Sequence, residues 1–103
     1  MQFTVYHNPN KSVVYPFLLD VQSDIIDDLD KRMMIPLSPV EKFSGKWPER
    51  IMPIIHLIDG NDYFAIVIEM VGVPKRGIGG EFCTAMSYRN EVKAAIDFML
   101  DGI

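Results

Sequence analysis

The side chains best equipped for chemistry in this sequence are a run of carboxylates, two histidines, one cysteine and a glycine cluster. Asp24, Asp27, Asp28 and Asp30 lie close enough together to suggest a calcium loop. Such a loop places oxygen ligands on alternate residues and a glycine at its sharp turn. Here Ile25, Ile26 and Leu29 interrupt the acids and no glycine follows, so no metal site is expected. The segment reads as a solvated loop or a contact surface, and the Ile25-Ile26 pair admits a second reading as core. His7 and His56 stand far apart and outside any His-Glu-x-x-His frame, and Cys83 has no second thiol to join, so neither a zinc set nor an intrachain disulfide follows. Gly77-Ile78-Gly79-Gly80 is similar to part of a phosphate loop but lacks the Lys-Ser/Thr that would complete it, and reads as a turn. There is no Gly-x-Ser-x-Gly elbow and no pair of carboxylates in an apolar setting to divide acid and base roles. The expectation is a chain that binds rather than catalyses, with no catalytic residue, cofactor or metal.

The chain that must position these groups has 103 residues, 49% of them hydrophobic and 23% charged, which suits one folded domain over residues 1–103. At this size much of the surface stays exposed, so a second copy would usefully cover part of it. Ten Lys+Arg against fourteen Asp+Glu give a net charge of -4, with the basic residues scattered. Counterion release needs a basic field, so direct nucleic-acid binding is not expected. Met1 to Tyr6 has neither a basic n-region nor an apolar h-region, which points to the cytoplasm and argues against glycosylation at Asn10-Lys11-Ser12. The apolar stretches Ile51 to Ile58 and Tyr63 to Val71 are broken by Pro53, His56 and Glu69, and both fall short of the roughly 18 residues that span a bilayer. No membrane association is expected.

Met1 to Tyr6 alternates polar and apolar residues, as a half-buried strand does, and the break at Asn8-Pro9-Asn10 leads into a second strand candidate, Val13 to Val21, that would pair with it as a hairpin. Arg32 to Leu37 is a third candidate, stopped by Pro36 and Pro39, and Ser38 to Arg50 reads as a long connection or small subsidiary sheet. Ile54 to Ile58 and Tyr63 to Ile68 flank an Asp59-Gly60 turn signal. Both runs are apolar on consecutive residues, which predicts burial on both faces. From Ser87 the period becomes helical. Tyr88, Val92, Ala95, Ile96, Met99 and Ile103 form one stripe, and Asn90, Lys93, Ala94, Asp97 and Asp101 lie opposite, with Ser87 as N-cap and Gly102 as terminator. A strand set followed by one C-terminal helix gives an α+β, mainly β domain, with a partly open barrel as the natural way to roll the strands.

Several motifs carry a further likeness. Met1-Gln2-Phe3, Asp20-Val21-Gln22-Ser23-Asp24-Ile25-Ile26-Asp27, Arg32-Met33-x-Ile35-Pro36-Leu37, Pro53-x-x-His56, Val73-Pro74 and Ala95-Ile96-x-x-Met99-x-x-Gly102-Ile103 together resemble the CcdB family of gyrase-poisoning toxins, collinearly and with about one residue inserted between Leu37 and Glu69. The resemblance implies an SH3-like, partly open barrel of the CcdB/MazF type with a small side sheet and a C-terminal helix. It implies a homodimer, with Met99 near the two-fold axis, that enters the cavity of the DNA gyrase A subunit dimer and traps the cleaved gyrase-DNA complex. It also implies neutralisation by a CcdA-like antitoxin, whose disordered arm covers surfaces including Tyr6 to Val14, and operator DNA binding only through the toxin-antitoxin complex. Carried over by position, the gyrase-binding residues are Ser23, Ile25, Ile26, Asp97, Leu100, Asp101, Gly102 and Ile103. One departure stands out: Asp101 occupies the place of a bulky aromatic before the terminal Gly-Ile. Two alternatives remain open at this point, a decayed toxin kept for antitoxin binding and repression, and a MazF-like endoribonuclease on the shared barrel.

Overall fold

A computed structural model of the chain describes residues 1–10, 12–26, 29–43, 45, 47–48 and 50–101. Its strands are β1 (Thr4–His7), β2 (Phe17–Asp20), β3 (Lys31–Pro39), β4 (Ile54–His56), β5 (Asp62–Ala65), β6 (Val71–Pro74) and β7 (Glu81–Thr84), followed by the helix α1 (Arg89–Asp101). They form one curled antiparallel sheet in the order β4-β5-β3-β2-β1-β7, with β6 also paired to β3. The architecture is the α+β, mainly β half-barrel with one C-terminal helix that the strand and helix periods predict. No helix among the described residues is long and apolar enough to cross a membrane.

The period-two rule explains how the sheet closes. Val5, Phe17, Leu19, Ile35, Leu37, Ile55, Leu57, Tyr63, Ala65 and Val67 share one face and meet the buried side of α1 at Val92 and Ala95. Those two helix residues are small, which lets the helix lie close to the sheet. Beyond this face a second cluster gathers Met52, Phe64 and Ile66 with Tyr15, Val40, Phe43, Trp47 and Ile51. Its rings meet edge to face, with Phe43 and Trp47 centroids 4.6 Å apart and Phe43 and Phe64 5.3 Å apart. The connection after β3 thus packs over the outer side of β5, and the side sheet is a wing continuous with the main sheet through β3.

β3 runs straight through Pro36, which the sequence reading takes as a stop. Its N-terminal half, Lys31 to Met34, pairs with β6, and its C-terminal end, Leu37 to Pro39, pairs with β5. Pro36 falls in the gap where that edge changes partner, so its missing N–H leaves no ladder bond unmade. Its carbonyl still accepts the Ile66 N–H at 3.0 Å.

Other boundaries shift for local reasons. β1 begins only at Thr4 because Phe3, fully buried, takes a left-handed backbone (φ 62°) that turns Met1 and Gln2 away from the strand. β2 is shorter than Val13 to Val21, because the Ser12 hydroxyl accepts the N–H groups of Val14 and Tyr15 and holds Val13 and Val14 out in solvent. β5 is buried on both faces as predicted, but β4 is not: Ile55 and Leu57 are buried, whereas Ile54, His56 and Ile58 are exposed. Val71 to Pro74, outside every strand candidate, is a strand on the β3 edge. Ser87 sits inside a 3₁₀ turn, Met86–Tyr88, rather than capping α1.

Candidate functional site

The first group of expected contact residues occupies a single 3₁₀ turn, Asp24–Ile26. Ile25 is 95% exposed and Ile26 about half exposed, which decides between the two readings of that pair: they are surface, not core. Ser23 is half-buried, and its hydroxyl accepts the Ile25 N–H while its carbonyl accepts that of Ile26. It shapes the turn. Asp27 lies outside the described residues.

What holds this turn is a charged cluster that continues from the core. Asp20, only 1% exposed at the end of β2, receives two hydrogen bonds from Arg32, from Nε at 3.0 Å and from Nη2 at 3.1 Å. The same Nη2 donates to the Gln22 carbonyl and to Asp24 Oδ1, both at 2.9 Å. Asp24 also accepts the Gln2 backbone N–H, and the Met1 amine lies 3.4 Å from Asp20. The Gln2 N–H and then the Arg32 guanidinium hold the Asp24 carboxyl below its ordinary value. Burial alone would lower Arg32, but its bonds to Asp20 and Asp24 outweigh that and keep it above its usual range. The turn therefore presents an apolar tip on an ionic base fixed to β2 and β3.

The second group lies on the last turns of α1. Asp97, Leu100 and Asp101 are exposed, Leu100 at 70%, while Met99 is half-buried against the main core. Gly102 and Ile103 lie outside the described residues. Beside this end runs a groove of about 740 Å³ between α1 and the Arg50–Ile54 segment, lined on the helix side by Tyr88, Glu91, Ala94, Asp97, Phe98 and Asp101. Arg50 lies over the Phe98 ring with its guanidinium carbon 4.3 Å from the centroid. Tyr88 fixes the other end by accepting the His56 backbone N–H at 3.1 Å.

The remaining reactive types are committed elsewhere. The His7 ring packs on Phe17 and Phe82, and the His56 ring makes a 2.7 Å contact with Asp62 on the exposed edge of the β4–β5 pair. Cys83 is half-buried, and burial raises its thiol above its ordinary value. The Gly79 amide donates to the His7 carbonyl, so it is tied into the sheet instead of facing a phosphate. Among the described residues no three His, Cys, Asp or Glu side chains gather as a metal set.

A curled sheet closed by a C-terminal helix agrees with the fold that the sequence motifs imply, and the model of the family described as CcdB protein matches residues 2–102. The chain belongs to the CcdB family. Membership places it among the toxin components of ccd toxin-antitoxin systems.

Arg32, Asp20, Arg50 and Phe98 were not among the residues expected from sequence. For the first two a signal exists: a lone Asp closing the apolar run Phe17-Leu18-Leu19 and the Arg next to Met33-Met34-Ile35 are charges against apolar runs where burial is expected, and buried charges are paired. For Arg50 and Phe98 no sequence spacing announces the contact.

Proposed function

We propose that this CcdB-family chain is a toxin that acts by binding, without catalysis, on the DNA gyrase A subunit. In this reading a homodimer enters the cavity of the gyrase A dimer and holds the cleaved gyrase-DNA complex. The observation that carries it is Ile25, 95% exposed on a turn clamped by buried charge. A large aliphatic side chain held in water by rigid supports is what a partner surface uses. Leu100 on the helix end supports the same reading. Met99, half-buried, is assigned to the dimer interface, with exposed Ile68 supplying apolar surface on the turn beside α1. A CcdA-like antitoxin neutralises the dimer and brings it to operator DNA, and the cytoplasm, where gyrase is, is the proposed location.

The test is titration of the chain into a gyrase A fragment, paired with a DNA-cleavage assay on whole gyrase. Wild type binds and accumulates cleaved DNA, while Ile25→Ser and Leu100→Ser each weaken binding by about tenfold or more without lowering Tm. Undiminished binding by both variants would remove these residues from the contact. Asp101 favours a second reading, a toxin that has lost its anchor and is kept for antitoxin binding and repression. That reading gains if wild type fails to bind gyrase yet binds the antitoxin.

A further inference from the structure

We infer that the groove between α1 and the Arg50–Ile54 segment is a docking site for a cationic, amphipathic helical segment of a partner protein. Glu91, Ala94, Asp97, Phe98 and Asp101 fall within about 120° of the helix circumference at 100° per residue, so they form one continuous wall. Its floor is apolar: Ala94, Phe98 and Tyr88 face Pro53 and Ile54, and Ile54 is one of the exposed residues by which β4 departs from two-sided burial. Its rim is acidic, with Glu91, Asp97 and Asp101 set against Arg50, the single cation among the described lining residues. Arg50 is drawn onto the Phe98 ring, which closes the far wall and leaves the three carboxylates facing outward.

That charge pattern selects the occupant. A helix laid in the groove buries an apolar stripe on the floor and meets the rim with Lys or Arg. At 1.5 Å per residue, Asp97 and Asp101 lie about 9 and 15 Å along the axis from Glu91, so the matching basic residues are spaced by about six and ten positions. A second copy of this chain brought against the same face would set acid against acid, and nucleic acid would meet the carboxylates with phosphate. Leu100 and Ile25 do not line the groove, so the site is distinct from the apolar tips assigned to gyrase, although Asp97 and Asp101 border both.

The experiment selects binders to the full chain from a random 16-residue peptide library and maps each by amide chemical shifts, with gyrase absent throughout. Selected peptides should carry Lys or Arg around an apolar stripe and shift Ile54, Ala94 and Phe98. The combined Glu91→Gln, Asp97→Asn and Asp101→Asn variant should weaken them by about fivefold or more at low salt and flatten the salt dependence. Ala94→Arg, which keeps helix propensity and fills the floor, should abolish binding at unchanged Tm. Ile25→Ser should leave peptide affinity as it is, which separates this site from gyrase docking. Acidic or uncharged selected peptides, shifts centred elsewhere, an unaffected carboxylate variant, self-association on this face, or no binders at all would each overturn the proposal.

Discussion

Replacing Arg32 with Met tests the ionic base of the turn. The substitution keeps the length of the side chain but leaves Asp20, 1% exposed, without its guanidinium. Removing one partner of a buried pair costs about 3–5 kcal/mol. The Met1 amine at 3.4 Å is solvent-exposed and offsets no more than about 1 kcal/mol, and the Gln22 N–H, 2.9 Å from Asp20, is retained. The expected loss is therefore about 2–4 kcal/mol, which for a domain of this size lowers Tm by roughly 10–30 °C. Adding Asp20→Leu removes the stranded charge and should restore most of that stability. The double variant still lacks the clamp on Asp24. Ordering Ile25 and Ile26 on binding would then cost about 0.5–1.5 kcal/mol per side chain, about 1–3 kcal/mol for the two, so gyrase affinity should fall by about five- to 150-fold in a stable protein. Acid supplies an independent arm. Asp24, held low in wild type, contributes stability that is complete above its unfolded value near pH 4 and is lost as pH falls through its lower folded value. Urea unfolding at several pH values measures both effects. A single-variant loss under about 1 kcal/mol, or a double variant as unstable as the single, would refute the reasoning that the pair is buried and interdependent.

Gly79→Ala should destabilise by about 1–3 kcal/mol in denaturant, since the new Cβ would clash with the His7 carbonyl oxygen, whereas Gly80→Ala, with nothing within 4 Å, should be close to neutral. Tyr63 donates to Asp59 at 2.6 Å, and burial first, then that carboxylate, push its phenol up to about 12. A raised value contributes stability that is intact below the unfolded value near 10 and disappears as pH rises through about 12, so Tyr63→Phe should cost about 1–2 kcal/mol at neutral pH and remove that alkaline loss. Asp101→Trp, on the exposed last turn of α1, should tighten gyrase A binding by about 1–3 kcal/mol in calorimetric titration at unchanged Tm. Weaker binding would show Asp101 to be a native contact.

The stripe of α1 and the alternation of the strands were legible because each depends on a single period: Val92 and Ala95 are inside, and Asp97 and Asp101 outside, wherever the helix is placed. The Asp59-Gly60 turn was legible for a similar reason, Gly60 adopting φ 84° as that position requires. What escaped depends on neighbours distant in sequence. Pro36 looks like a stop until β5 and β6 are seen to divide one edge of β3 between them, and Ile54 looks buried until its exposed neighbour His56 shows β4 to be one-sided. At the site, the exposure of Ile25 follows from Arg32 holding Asp24 eight residues before it, and the groove from the meeting of Arg50 with Phe98; no local pattern encodes either distance.

The changeover at Pro36 also determines how the molecule comes apart. The wing of β4 and β5 and the edge strand β6 each hold one end of β3, with the Ile66 N–H to Pro36 carbonyl bond between them, while β2 holds the middle through Phe17 to Asp20. Either end can detach without unzipping the other, so hydrogen exchange should divide the sheet into two sub-global units on a common spine, with the amides between β2 and β3 the last to exchange. The acidic turn belongs to the β6 side, since Lys75 N–H bonds the Asp30 carbonyl just after it, and the groove belongs to the wing side through Ile54. The two proposed partner surfaces thus fall on different units, and a ligand on one should order its own unit without tightening the other.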